Sequence, residues 1–87
     1  MLRISVDKVE GETTMLRLDG QVTGRWVKLL QGMCDAESKE GSQLTIDMRN
    51  VSFADRDGIA LLRNLRDRRI EILNALPFIA EQIKREG

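Results

Sequence analysis

Three aspartates and a serine crowd one short stretch: Asp47, Ser52, Asp55 and Asp57. Side chains of these types at this spacing can do three kinds of chemistry. An aspartate can cap a helix, accepting hydrogen bonds from backbone N–H groups that have no partner inside the helix. A carboxylate cluster can hold Mg²⁺, which takes a few carboxylates and keeps part of its water shell. A serine or an aspartate can accept a phosphoryl group, and the positive end of a helix favours the negative product.

Spacing favours the first of these. Asp55-Arg56-Asp57-Gly58 is a turn-and-cap cluster, and Ile59, Leu62 and Leu65 follow it at helical spacing, with Ala60 and Leu61 beside them. Upstream, Leu44-Thr45-Ile46-Asp47-Met48 alternates apolar and polar residues, the period of a strand. Val51 and Phe53 add two apolar anchors. A strand therefore delivers the chain to a short acidic loop, and a helix starts in that loop or just after it. Gly58 is expected to keep the surface beside the junction small and open. Asp47 is expected to end its strand and to accept from neighbouring loop amides. Ser52, Thr23 and Ser42 read as polar loop or cap residues, Ser52 lying nearest the acidic cluster.

Other chemistries lack their parts. A receiver-type magnesium site needs an acidic pair after the first strand and a lysine near a late strand, and neither is placed correctly. The chain has no histidine and one cysteine. That leaves no internal disulfide, no zinc site and no His-based catalysis to expect. Cys34 falls on an apolar helix stripe and reads as a core residue. No glycine-rich loop precedes a lysine, so a P-loop is excluded. No cofactor, no metal and no enzymatic activity are expected.

Lys and Arg total 14 and Asp and Glu total 14, so the formal net charge is zero. There is no global pull toward nucleic acid or an acidic membrane. Arg56, Arg63, Arg66, Arg68 and Arg69 are locally basic, but Asp67 interrupts them and aromatic residues are only 3%. A solvated helix face is the simpler reading, with Arg56 placed to meet an anionic protein partner beside the acidic loop. No apolar run is long enough to span a bilayer, and Met1-Leu2-Arg3-Ile4 does not open a signal peptide. A cytoplasmic protein is the expectation.

The elements that position the cluster follow from periodicity. The 87 residues fit one domain. Leu2–Asp7 alternates as a strand, Glu10-Gly11-Glu12 is a turn, and Thr13–Val22 is a second strand pairing antiparallel with the first. Asp19-Gly20 bends its end. Thr23-Gly24 introduces a helix whose stripe is Trp26, Leu29, Leu30, Met33 and Cys34. Ser38–Ser42 is a polar loop. After the central strand and helix, Arg68-Arg69 closes the helix, and Ile70–Asn74 is a short strand. Pro77 then opens a last helix with Phe78, Ile79 and Ile83 on its apolar face. Lys84–Gly87 is a frayed end.

An apolar strand, the aspartate at Asp47, the segment Asn50-Val51-Ser52-Phe53-Ala54 and the helix-opening Asp55-Arg56-Asp57-Gly58 together resemble the STAS family of sulphate transporters and anti-sigma-factor antagonists. The family's loop reads D-S-S-G or D-S-x-G. In its bacterial antagonists the residue before the loop glycine is a serine phosphorylated by a partner kinase, and that position is Asp57 here. The element order extends the resemblance from about Leu2 to Lys84. It implies an α/β fold, a STAS-like mixed β-sheet with helices packed on it in the order β-β-α-β-α-β-α. It implies a non-enzymatic bacterial regulatory module that binds a protein partner, an anti-sigma factor or related kinase. The binding residues carried over are Ser52, Asp55, Arg56, Asp57 and Gly58, together with the following helix. The usual phospho-switch is absent from its usual place. In the family the unmodified loop binds and the phosphorylated loop releases. A carboxylate carries about one unit of charge against about 1.5–2 for phosphate, so Asp57 is a partial mimic. Family domains commonly continue with another strand and helix, and their absence leaves a truncated sheet edge suited to a homodimer. The alternative implied by the family is a module responsive to a nucleotide or small molecule, or a phospho-acceptor acting through Ser52.

Overall fold

A computed structural model describes residues 1–9, 13–38 and 43–84. The order is β1 (Leu2–Val9), β2 (Thr13–Val22), α1 (Arg25–Glu37), β3 (Gln43–Ala54), α2 (Arg56–Asp67), β4 (Glu71–Leu73) and α3 (Pro77–Lys84). The strands form one sheet in the order β1-β2-β3-β4. β1 and β2 are antiparallel, and β2–β3 and β3–β4 are parallel. This is the α/β mixed sheet that the sequence predicts, in the predicted order. The turn at 10–12, most of the 38–42 loop and the end at 85–87 lie outside the described residues.

The alternating residues of the strands sort onto two faces. Leu2, Leu16, Leu18, Val22, Leu44, Ile46 and Met48 are buried on one, under the helices. Arg3, Ser5, Asp7, Arg17 and Thr45 alternate onto the other, which keeps contact with solvent. Burying each large aliphatic side chain contributes about 1.5–3 kcal/mol before the entropy of ordering is subtracted.

The central strand corrects the period-2 reading. β3 does not stop at Met48 but runs on to Ala54. Arg17 pairs with Asp47, Asp19 with Asn50, and Gln21 with Phe53, so β3 gains a residue on β2 at each of two register shifts. Each bulge turns the alternation over by one position. Val51 and Ala54 therefore join Met48 in the core, and Phe53, expected as an anchor, faces out at 47% exposure.

The α1 stripe is also rotated from its expected place. Val27, Leu30 and Cys34 are buried, while Leu29 is 47% exposed. The chosen stripe and the buried one share Leu30 and Cys34, and the sheet and α2 decide which flank is covered. In α3, Ile79 and Ile83 are buried as expected, but Phe78 is 48% exposed. A helix this short packs on its neighbour α2 with one line of side chains, and Phe78 falls beside that line.

Candidate functional site

β2 and β3 run parallel and end side by side, Val22 opposite Ala54. Each then gives way to a helix, so α1 and α2 start at the same edge of the sheet. In parallel α/β sheets this carboxyl edge of the strands is where ligands and partners have access to helix N-termini.

Asp55 joins the two starts. It is the N-cap of α2, with extended φ −81 and ψ −176. Its Oδ1 accepts from the Gly58 N–H at 2.8 Å, and its Oδ2 accepts from the Gly24 N–H at 2.9 Å. Gly24 is the N-cap of α1. Its φ of +54 is a conformation that residues with a Cβ seldom adopt, and it aims that N–H at the carboxylate. The Asp55 backbone N–H in turn donates to the Val22 carbonyl at 3.2 Å. The Gly24 amide first, and then the Gly58 amide, hold the Asp55 carboxyl below the usual carboxylate range.

The expected acidic loop is thus a single capping residue followed by helix. Arg56 and Asp57 already belong to the first turn of α2. Gly58 is not an open surface but a buried one, and a Cβ there would lie 2.2 Å from the Val22 carbonyl oxygen. Glycine is required because strand and helix backbones touch at this point. Asp57 is exposed, and among the described residues its carboxylate has no hydrogen-bond or ion-pair partner. A negative charge in the first turn of a helix sits favourably with its dipole. Arg56 is exposed beside it. At the start of α1, next to Gly24, the Arg25 guanidinium lies 5.1 Å from the Trp26 ring centroid.

Ser52 is the extra residue of the second bulge, and its hydroxyl lies 3.4 Å from the Gly20 carbonyl oxygen. It is exposed, but it belongs to a strand rather than to a loop. Asp47 is elsewhere. It does not end its strand; its Oδ1 accepts from the Arg49 N–H at 3.0 Å and from Asn74 Nδ2 at 3.1 Å. The Arg49 amide, then the Asn74 amide, lower its pKa. Asp47 thereby braces the first bulge and ties it to the end of β4. Among the described residues no three of His, Cys, Asp and Glu gather as a metal site.

The basic cluster also resolves into separate tasks. Arg63 Nε and Nη2 donate to the Gln82 carbonyl at 3.0 and 2.7 Å, and Arg66 Nη1 donates to the Ile83 carbonyl at 2.6 Å. Two arginines one turn apart on α2 thus cap the C-terminal carbonyls of α3. Arg68 reaches Asp35 at 2.9 Å and Ser38 at 3.2 Å, tying α2 to the end of α1. A solvated face does not describe them. Arg69 has φ +65 and ends the helix in a left-handed residue. Cys34 is fully buried, and that burial pushes its thiol up to about 12.

Sequence reasoning missed the Gly24 amide and the Val22 carbonyl as parts of this junction. The Thr23-Gly24 pair marked a helix start, but nothing in the sequence aimed it at Asp55.

No family model matches the chain, and no curated protein matches it in sequence. Solved structures do match in fold. One is the anti-sigma factor antagonist SpoIIAA in its unphosphorylated form, with TM-score 0.69 and 21% identity, over 91% of this chain and 79% of that one. Another is a chain from the crystal structure of Mglu, with TM-score 0.55 and 20% identity, over 78% of this chain and 18% of that one. The chain therefore has the STAS-like α/β fold of an anti-sigma factor antagonist, and it spans less than a fifth of the Mglu chain. Among the described residues no helix is long and apolar enough to cross a membrane.

Proposed function

We propose that this chain is a non-enzymatic regulatory module of the anti-sigma-factor-antagonist type. It binds a protein partner, an anti-sigma factor or a related kinase, through the first turn of α2. One observation carries the reading: the two acids of the junction have divided their labour. Asp55 spends both carboxylate oxygens on backbone amides. Asp57, which the resemblance sets at the position of the family's phosphorylated serine, is exposed, and among the described residues its carboxylate has no partner. A charge kept at the surface without an internal partner is available to a guanidinium or ammonium on another protein. Arg56 beside it offers the opposite sign. The negative charge is permanent, so this surface is set by sequence and not by phosphorylation at that position. Such a module works in the cytoplasm of a bacterium.

The test is capture from the native cell lysate with wild type and Asp57→Arg, both shown to be folded by circular dichroism. Enrichment of an anti-sigma factor or kinase by wild type, and its loss with the variant, is the expected result. Equal capture by both proteins removes the first turn of α2 from the interface.

A further inference from the structure

We propose that the outer edge of β1 is a self-complementary interface through which two copies of this chain pair antiparallel, extending the sheet. β1 and β4 are the two edges of the sheet. β4 is only 3 residues long, whereas β1 has 8. A long edge strand with free backbone groups is a template for another strand unless it is blunted.

Backbone parity fixes which groups are free. The Met1 carbonyl accepts from the Gln21 N–H at 3.0 Å, and the antiparallel register continues with Leu2 opposite Gly20. Odd-numbered residues of β1 therefore point their N–H and C=O at β2. Leu2, Ile4, Val6 and Lys8 point theirs away from the sheet. Antiparallel pairing with a second copy must join these even residues. Centring the twofold axis on Ser5 does so along the whole strand: Leu2 meets Lys8 of the second copy, and Ile4 meets Val6.

The side chains agree with that register. On the solvent face it sets Arg3 opposite Asp7 of the second copy, and Asp7 opposite Arg3; Asp7 is already ion-paired with Arg17 of its own chain, so each contact would add a second cation to a carboxylate that keeps its Arg17 partner. Sliding by two residues places Ser5 opposite Arg3 or Asp7, losing both pairs. On the helix face it brings Ile4 against Val6. Burial falls off along this face, from Leu2 at 4% exposed to Val6 at 39%, as though a cover were missing. The flank of α1 above shows the same incompleteness. Asp35 and Ser38 turn toward α2 through Arg68, which leaves Trp26, Leu29 and Met33 on the β1 side. Leu29 there is 47% exposed. A twofold axis through Ser5 would join two four-stranded sheets into one and set the two α1 flanks facing each other over the β1 pair.

Sedimentation equilibrium on the whole chain tests the interface and its register together. Wild type is expected to dimerise reversibly with concentration. Arg3→Asp and Asp7→Arg each place like charges opposite one another twice, and each should weaken dimerisation about tenfold. Mixed at equal concentration, the two variants are complementary and should form a heterodimer. A second probe is independent of charge. Ser5→Cys places two thiols on the axis, in a non-hydrogen-bonded pair whose Cα atoms would be about 4.5 Å apart, within disulfide range. Mild oxidation should then give a covalent dimer, Cys34 being buried. Wild type that remains monomeric at its highest soluble concentration overturns the proposal. So does a mixture that fails to pair while its two folded parents stay monomeric, or a folded Ser5→Cys chain that does not cross-link.

Discussion

The two ends of α2 are held by opposite means. At its start a carboxylate accepts from amides: Asp55 takes the N–H groups of Gly24 and Gly58. Near its far end guanidiniums do the holding: Arg63 and Arg66 serve the last carbonyls of α3, and Arg68 serves Asp35 and Ser38 of α1. Acid at helix starts and base at helix ends is what the macrodipole favours. The difference lies in what is left over. Three of the arginines beyond Gly58 are committed inside the fold. At the start, one aspartate is enough to join two helices, and Asp57 remains available. A charged cluster is a candidate for function where its charges exceed what the fold consumes.

Four substitutions break or sharpen that contrast, in order of expected effect. Gly58→Ala strikes the start of α2 hardest, because its Cβ would lie 2.2 Å from the Val22 carbonyl. A backbone atom cannot rotate away, so a loss of about 3 kcal/mol is expected in urea unfolding. A near-neutral result would mean that the two backbones do not touch.

Asp55→Ala comes next, with a fall in melting temperature of roughly 5–10 °C. Its sign with pH is fixed by the lowered pKa. The folded value lies below the unfolded one, so the stabilisation is complete above the unfolded value and is lost as pH falls through the folded one. The gap between wild type and Asp55→Asn should stay constant from neutrality to roughly pH 5 and close below that. A gap that widens in acid would assign the carboxylate the wrong role.

Arg66→Ala should cost less, about 1–2 kcal/mol, by leaving the Ile83 carbonyl without its 2.6 Å partner. Hydrogen exchange would show the last turn of α3 opening while α1 stays protected. Smallest of all is Asp57→Ala, within about 0.5 kcal/mol of wild type. Under the proposed function its effect falls on partner binding, and a large loss of stability would place Asp57 in the structural group with Asp55.

What could be read in the sequence follows the range of the forces involved. Element order, the strand-to-helix junction and an aspartate cap within Asp55–Gly58 are local patterns that the sequence shows, whereas which aspartate caps the helix is visible only in the fold. The two bulges are not legible in the sequence, because they arise from the pairing of β3 with β2 and leave no composition signal. Apolarity alone therefore points to Phe53 as an anchor and passes over Ala54, which the fold buries instead. Gly58 suggests an open surface in the sequence because its true neighbour, Val22, is far away along the chain. The arginines looked like a solvated face because the carbonyls they cap belong to α3. The correspondence of Asp57 with the family's serine rests on the resemblance alone, and that its carboxylate has no partner among the described residues is visible only in the fold.

The Asp55 carboxylate, with one oxygen on each helix, also sets how the junction can move. A partner that lifts the first turn of α2 must draw Asp55 away from Gly24, so the N-cap residue of α1 loses the acceptor of its N–H in the same event. The Gly24 and Gly58 amides should therefore exchange with solvent as a pair, with one opening rate between them. Distortion at the surface of one helix would reach the other without crossing the hydrophobic core.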